Sequence, residues 1–350
     1  MSSVLLVGRN GSGKTAIREA LDKLRRAASG RARVSDVYST SDLNWNSKSR
    51  KMGFLLQVEL GRSQVDYELE LETKEGSSDF GVALEEVRLE GKAVLHRDRT
   101  GATGPSLGAG QSSFPIDDRS LALPIVQERS QDQPLSLLRQ WLSNMLILAP
   151  VPELISGESS RESAELAIDA SNFGEWFRGF SLSYPASIGT FIGNLRRAWP
   201  DFETVVNTST GRESKSLDFR FKNMGRESPL VPLGSLSHGE RCLAVWAAVM
   251  TWADLAEKAV CFWDEPDSHI SLDEVGDLVR QTNRGFQDRN QLIATSQNPE
   301  AIRMFTRENT LVLRRATHLD STDPPVRAST MPYDDDLSRS IARGEVFSVP

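Results

Sequence analysis

Two adjacent carboxylates, Asp264 and Glu265, directly follow the apolar residues 259–263. A short all-apolar segment is typical of a buried parallel strand, and α/β proteins bind ligands at the carboxyl ends of such strands. Two like charges at a buried strand end are costly without a cation, so the pair predicts a magnesium site. We expect these carboxylates to lie close to that ion.

A phosphate-binding loop is predicted near the start of the chain. Residues 8–15, GRNGSGKT, match the pattern G-x-x-x-x-G-K-[ST] and lie between an apolar strand and a helical pattern. Lys14 is expected to neutralise the β and γ phosphates, and the Thr15 hydroxyl to ligate magnesium. The predicted nucleotide-binding residues here are Gly8, Arg9, Asn10, Gly11, Ser12, Gly13, Lys14, Thr15 and Ala16.

A second predicted anion site is the turn LSHGE at 236–240, which opens a run with helical spacing of its apolar residues. The start of a helix leaves backbone N–H groups unpaired and directs the positive end of its dipole outward. A Ser hydroxyl and a Gly at that place suit a phosphate. The predicted nucleotide contacts in this turn are Ser237, His238, Gly239 and Glu240.

In this order, GRNGSGKT, LSHGE and CFWDEP resemble the motifs of an ATP-binding cassette (ABC) ATPase of the soluble branch that contains SMC, RecF and OLD-type ATPases. OLD-like members tend to have D-E-P-E-x-H-L-H, and residues 264–271 are DEPDSHIS. They also tend to have T-T-H-S-P-E, and residues 295–300 are TSQNPE. The resemblance spans most of the chain and implies an α/β fold. That fold is a P-loop NTPase of ABC type, in which a mixed sheet core carries an antiparallel β subdomain and an inserted helical lobe.

In this family, the phosphate loop of one subunit and the LSHGE turn of the other enclose the same ATP. The resemblance therefore implies a homodimer or higher oligomer, with ATP and Mg²⁺ as cofactors and Lys14, Glu265 and Gln297 as catalytic residues. It also implies that Asp264 holds magnesium through water and that Glu265 polarises the attacking water. Gln297 stands where most cassette ATPases carry a His that contacts the γ-phosphate. Because Gln can donate a hydrogen bond to phosphate but cannot become cationic, we expect slow ATP hydrolysis.

A further candidate is Gln127, at the end of LPIVQ at 123–127, between the predicted core and the predicted helical lobe. In the family that the chain resembles, a glutamine at this junction senses magnesium and the γ-phosphate. The predicted metal-site residues are therefore Thr15, Asp264 and Gln127.

The periodicity of apolar residues divides the chain into three predicted parts. Residues 1–120 hold the first half of the nucleotide-binding core and, where the period is two, an antiparallel β subdomain. Residues 121–200 have helical spacing and are predicted to form the helical lobe, with their aromatic residues in its core. Residues 201–350 return to the core with the LSHGE turn, the acidic pair and a tail. The Gly- and Ser-rich residues 100–115 are predicted to be a loop.

Composition narrows the functional class. The 350 residues, 39% hydrophobic and 25% charged, suit one large or two modest globular domains. No apolar run approaches the length that crosses a bilayer, and no secretory signal is apparent, so we expect a cytoplasmic protein without a membrane partner. Cys242 and Cys261 are predicted to be reduced core residues. A net charge of −7 argues against constitutive nucleic-acid binding.

Three functions beyond ATP binding remain open at this point. One is an ATPase that licenses a separately encoded effector, such as a nuclease, in bacterial phage defence or DNA maintenance; the tail has no pattern of the nuclease that OLD-type proteins commonly carry. The second is a RecF-like ATP-gated DNA clamp, and the third a scaffold that binds ATP without hydrolysis. The basic residues Arg25, Arg26, Arg31 and Arg33 form either a solvated helix end or a contact for DNA or a partner.

Overall fold

The computed structural model describes residues 3–44, 49–74, 76–103, 115–128, 130–131, 133–223, 228–256, 258–287, 290–317, 319–331 and 337–343. The chain forms two compact units. The first contains Met1–Lys14, Leu146–Arg314 and Pro324–Pro350, and the second contains Thr15–Met145 and Arg315–Asp323. Most of the predicted loop at 100–115 and the acidic tail at 334–336 lie outside the described residues.

In chain order, the strands are β1 (Ser3–Val7), β2 (Lys51–Leu60), β3 (Ser63–Thr73), β4 (Phe80–Leu89), β5 (Lys92–Asp98), β6 (Gly101–Thr103), β7 (Leu146–Leu148), β8 (Glu158–Ser159), β9 (Phe202–Ser209), β10 (Lys215–Phe221), β11 (Leu230–Pro232), β12 (Val260–Trp263), β13 (Gln291–Thr295), β14 (Thr310–Val312) and β15 (Val326–Arg327). The helices are α1 (Lys14–Ala28), α2 (Val34–Val37), α3 (Pro134–Ser143), α4 (Phe173–Ser183), α5 (Ser187–Ala198), α6 (His238–Leu255), α7 (Leu272–Gly285), α8 (Pro299–Met304) and α9 (Leu337–Ala342).

The central sheet belongs to the first unit. Among the described residues it has six strands, in the order β15-β14-β1-β13-β12-β7. Neighbours from β14 to β7 pair in parallel, and β15 pairs antiparallel to β14. Strands β1 and β12 are buried along their whole length, and all their residues except Ser3 are apolar, as expected for parallel strands covered on both faces. The predicted mixed sheet is therefore confirmed.

Helix α6 is the main buried helix of the first unit. Its residues from Cys242 to Thr251 are all buried, so it has apolar neighbours all round rather than on one face. The indole of Trp246 donates to the hydroxyl of Thr282 on α7 over 2.8 Å, which satisfies a buried donor. The same unit contains α4 and α5, whose aromatic residues Phe173, Phe177 and Phe191 are buried in the core, as predicted.

A smaller antiparallel sheet completes the first unit: β10 pairs with β11, β8 and β9. Strands β9 and β10 pair with each other along nearly their whole length. Both cysteines are free and buried, and burial raises the pKa of Cys242 to about 11. They are core residues, as predicted.

The second unit is built on an antiparallel sheet with the strand order β2-β3-β4-β5-β6 within the residues that the structure describes. Its inner face carries buried apolar side chains such as Val65, Leu69 and Leu71 on β3. The period of two in the sequence arises because every second side chain points to this core. The predicted antiparallel β subdomain is confirmed.

The segment 121–200, predicted as one helical lobe, contributes to both units. Helix α3 belongs to the second unit, whereas α4 and α5 belong to the first. Between them the structure has strand β7, which the sequence analysis did not predict. None of the helices in the described parts of the chain is long and apolar enough to cross a membrane.

Candidate nucleotide-binding site

The phosphate loop connects β1 to α1 at the carboxyl end of the central sheet. Gly13 has a φ of 100°, a conformation that residues with a side chain rarely adopt, so glycine is required immediately before the helix. Arg9, Asn10 and Gly11 are exposed, and Ser12 is buried. Thr15 and Ala16 follow in α1 with exposed side chains and belong to the second unit.

Lys14 is the charged residue at the end of this loop, and its ammonium group folds back on the loop. It donates hydrogen bonds to the carbonyl oxygens of Gly8 over 2.7 Å and Arg9 over 3.2 Å. Burial lowers the pKa of Lys14, and the negative charges of Glu265 and Asp264 oppose that shift. The structure thus brings together the predicted phosphate-binding lysine and the predicted acidic pair.

Asp264 and Glu265 lie at the end of β12, next to the end of β13. The backbone N–H of Asp264 donates to Leu148 O on β7 over 2.8 Å, which aligns the turn with the sheet. The Thr295 hydroxyl donates to Asp264 Oδ1 over 2.5 Å and accepts from the backbone N–H of Glu265 over 2.9 Å. Glu265 itself has a φ of 50°, in the left-handed region that is uncommon for a residue with a side chain.

The Glu265 carboxylate accepts a hydrogen bond at each oxygen. Gln297 Nε2 donates to Oε1 over 2.9 Å, and the Ser268 hydroxyl donates to Oε2 over 3.2 Å. The structure thus places Gln297, predicted as a γ-phosphate contact, beside the residue predicted to polarise water. Its side chain is exposed, so it can reach a ligand in the solvent-facing part of the site.

Thr295, Ser296 and Asp267 lie in the family-like motifs 295–300 and 264–271, but no role was predicted for them from the sequence. The Ser296 hydroxyl donates to Asp267 Oδ2 over 2.9 Å, and burial raises the pKa of Asp267. The signal that could have found Thr295 and Ser296 is their position, because they are polar residues at the carboxyl end of the strand next to β12.

The LSHGE turn caps α6. Ser237 is the N-cap: its hydroxyl accepts from the backbone N–H of Glu240 over 3.3 Å, while Glu240 Oε2 accepts from the N–H of Ser237 over 2.8 Å. The Glu240 carboxylate therefore serves the cap. The side chains of Ser237 and His238 are exposed at this first turn.

Gly239 packs against the loop that follows the acidic pair. A Cβ atom at this position would lie 2.7 Å from the carbonyl oxygen of His269, closer than real contacts allow. The rings of His238 and His269 meet edge to face with centroids 6.1 Å apart, and His238 Nδ1 lies 3.5 Å from Glu153 Oε1. The turn and the 264–269 loop therefore form one packed surface within the first unit.

Gln127 lies in the second unit, where it follows the buried Val126 and has an exposed side chain. Its role as a metal-site residue stays a prediction.

The predicted basic cluster also lies in the second unit. Arg25 is bound to Asp22 over 2.9 Å and to Met145 O over 3.4 Å. Arg31 donates to Ser143 O over 3.3 Å. These contacts favour the interpretation of the cluster as a helix end and loop.

Residues 3–303 match a family model described as "AAA domain, putative AbiEii toxin, Type IV TA system". This match covers both units of the fold and all three motifs of the candidate site. Among curated proteins, no match was found.

Solved structures of SMC heads have a similar fold. An SMC head bound to the C-winged helix domain of ScpA is 14% identical with a TM-score of 0.56, over 93% of this chain and 91% of that chain. The SMC head domain from Thermotoga maritima is 14% identical with a TM-score of 0.43, over 93% and 90%. An SMC head from Pyrococcus furiosus, with an extended coiled coil and bound to the C-terminal domain of ScpA, is 11% identical with a TM-score of 0.49, over 99% and 93%.

Proposed function

The chain belongs to the family described as "AAA domain, putative AbiEii toxin, Type IV TA system", an SMC/RecF-like group of ABC-type P-loop ATPases, and from that premise we propose that it hydrolyses ATP in a head-to-tail dimer. The observation that carries the proposal is the position of Lys14: its ammonium group lies on the carbonyl oxygens of Gly8 and Arg9 in the phosphate loop, where it interacts electrostatically with Glu265 and Asp264. A lysine, a loop of backbone N–H groups and an acidic pair are the parts that phosphoryl transfer needs.

Magnesium fits the residues present. Within the described residues, no cluster of three or more His, Cys, Asp and Glu side chains forms a metal site from protein ligands alone. Mg²⁺ bound with a nucleotide is usually held by one or two carboxylates together with phosphate oxygens and water, which suits Asp264 with the Thr15 hydroxyl. The bound ion would neutralise charge on the phosphates.

Each residue of the site then has a proposed part in the reaction. Lys14 binds the β and γ phosphates after its ammonium group leaves the carbonyl oxygens of Gly8 and Arg9. Glu265 orients and polarises the attacking water, and Gln297 donates a hydrogen bond to Glu265 or to the γ-phosphate. Because Gln297 stays neutral, it stabilises the developing charge less than a cation would, which supports slow turnover.

The LSHGE turn is proposed to act on the ATP of the partner subunit. Ser237 and His238 are exposed at the first turn of α6, where the helix dipole favours an anion. In a two-fold dimer, each ATP would lie between the phosphate loop of one protomer and this turn of the other.

Mixing two inactive variants tests the head-to-tail arrangement. Lys14→Met removes the phosphate loop's lysine, and Ser237→Arg blocks the turn. A heterodimer of the two has one site with both defects and one intact site, so the mixture should regain about a quarter of the wild-type phosphate release. Glu308→Gln, an exposed acidic residue of the same unit, is the control for each preparation. If the mixture stays as inactive as its components, the two parts do not act across subunits.

We also place the ATPase upstream of a separately encoded effector, such as a nuclease, in bacterial defence or DNA maintenance. Two observations support this: the family description names a Type IV TA system, and one of the similar structures is an SMC head bound to a domain of another protein. Purification of the tagged chain from its native operon, with and without ATP, tests the idea. Recovery of the chain alone in both conditions, together with an unchanged cellular effect after deletion of its gene neighbours, would refute it.

A further inference from the structure

The end of β13 carries three consecutive polar residues, and each contacts a different part of the acidic loop. Thr295 bonds to Asp264 and to the backbone of Glu265, Ser296 bonds to Asp267, and Gln297 bonds to Glu265. Three carboxylates that would repel one another are thus each held by a hydroxyl or an amide donor. We refer to residues 295–297 as the carboxylate clamp.

Within this clamp, Thr295 is the residue whose side chain contacts both members of the acidic pair. It is fully buried, and it ends a strand that pairs with both β1, which leads to the phosphate loop, and β12, which leads to the acidic pair. A valine would fill the same space and suit a strand equally well, whereas a buried hydroxyl is costly unless it is bonded. The Thr295 hydroxyl makes two bonds, one as donor to Asp264 Oδ1 and one as acceptor from Glu265 N–H.

These two bonds fix different properties of the pair. The bond to Oδ1 sets the orientation of the Asp264 carboxylate. The bond from the Glu265 N–H holds the backbone at the residue whose φ is 50°. Strained backbone persists where surrounding contacts determine it, and this hydroxyl is such a contact.

We infer that Thr295 is a positioning residue of the site, whose buried hydroxyl presents Asp264 to the magnesium of bound Mg·ATP and keeps Glu265 aimed at the attacking water. The inference rests on the proposed ATPase function. It adds to that function a residue that touches neither the nucleotide nor the metal. A hydrogen bond to an ionised group is among the stronger protein hydrogen bonds, so its loss should be measurable.

The test compares variants with and without a hydroxyl at position 295. Thr295→Ser and Thr295→Ala both lack the methyl group and differ in the hydroxyl, while Thr295→Val keeps the shape. Thr310→Val is the matched control, because Thr310 is also fully buried in the same sheet and its hydroxyl bonds to Thr306 O over 2.9 Å. For each protein, the affinity for a fluorescent ATP analogue is titrated in EDTA and at rising Mg²⁺, and thermal melting verifies folding.

We expect Thr295→Ser and Thr310→Val to behave as the wild type. Thr295→Ala and Thr295→Val should need about tenfold more Mg²⁺ for half-maximal strengthening of nucleotide binding, with little change of affinity in EDTA, since the loop around Lys14 is intact. Equal Mg²⁺ dependence of Thr295→Ala and Thr295→Ser would overturn the inference. An equal rise in the Mg²⁺ requirement of Thr310→Val would also overturn it, because that result would show a general effect of removing a buried hydroxyl.

Thr295→Cys serves where the alanine and valine variants do not fold. A thiol is a weaker donor than a hydroxyl, so the Mg²⁺ requirement of this variant should lie between that of the wild type and the tenfold higher requirement. A Mg²⁺ requirement equal to that of the wild type would contradict the positioning role of Thr295. A wild-type protein that does not bind the ATP analogue at all would contradict the proposed function. A wild type that binds it, beside an unaffected Thr295→Ala, contradicts only this inference.

Discussion

Replacing Gly239 by alanine should destabilise the first unit through one identifiable contact. The new Cβ atom would lie 2.7 Å from the carbonyl oxygen of His269, so the start of α6 or the loop after the acidic pair has to move. Gly234 supplies the control: it lies in the neighbouring 3-10 turn Leu233–Ser235, and a Cβ atom there meets nothing within 4 Å.

Two opposing terms set the size of the effect. Overpacking against a rigid neighbour costs ~1–3 kcal/mol, and the better helix propensity of alanine returns up to ~1 kcal/mol at this first turn. We therefore expect Gly239→Ala to lose about 1–2 kcal/mol, and Gly234→Ala to stay within ~0.5 kcal/mol of the wild type. For a unit of roughly 200 residues, each kcal/mol lowers the melting temperature by about 2–4 °C.

Calorimetry or urea unfolding of the wild type, Gly239→Ala and Gly234→Ala, all without nucleotide, measures the difference in their free energies of unfolding. Because the displaced 264–269 loop contains Glu265, Gly239→Ala should also lower the rate of ATP hydrolysis more than Gly234→Ala does. If Gly239→Ala is as stable as Gly234→Ala, the close packing of the LSHGE turn on the 264–269 loop is refuted.

Two further variants test the charges of the site. Lys14→Met should leave the nucleotide-free protein at least as stable as the wild type, because it removes a buried ammonium group whose pKa is lowered by burial. The variant should lose the stabilisation by ATP, which for the wild type is ~2.7 kcal/mol at an ATP concentration of 100 times Kd. A rise of its melting temperature with ATP would contradict the role of Lys14. Burial raises the pKa of Asp267 above its ordinary 3.8, so the folded state binds the proton more tightly and Asp267 reduces stability as the pH rises through the raised value. Asp267→Asn should therefore show a smaller fall in urea stability between about pH 4 and about pH 7 than the wild type, and an unchanged fall would refute the assignment to Asp267.

The parts of the fold that local pattern determines could be predicted from the sequence. Residues 4–7 are apolar and lead into the phosphate loop, and residues 260–263 are apolar and lead into the acidic pair; both segments lie in buried strands of the central sheet. The period of two between residues 54 and 97 became the antiparallel sheet because one face of it packs on a core.

Features that depend on contacts distant in sequence could not be predicted in the same way. The Thr295 hydroxyl meets Asp264 across 31 positions, and no local pattern announces such a bond. Strand β7 has only three residues, too few to show a period, and follows the apolar stripe of α3 closely. Helical spacing in residues 121–200 predicts helices but does not indicate which unit each helix joins.

An ATP-gated DNA clamp stays a prediction. The hydrogen bonds of Arg25 and Arg31 to Asp22 and to carbonyl oxygens of the same unit favour a helix end and loop. A DNA clamp requires a salt-sensitive affinity for DNA that appears only with ATP. This affinity should fall when Arg25, Arg26, Arg31 and Arg33 are neutralised.

The central claim is that ATP joins two chains at sites made from both. Light scattering of Glu265→Gln, with and without ATP and Mg²⁺, tests it most directly, because the variant should bind ATP normally and fail to activate water. We predict a monomer without nucleotide and a stable dimer at saturating ATP, while Glu308→Gln, which turns ATP over, returns to monomer as the ATP is consumed. A Glu265→Gln protein that binds ATP and remains monomeric would contradict the account.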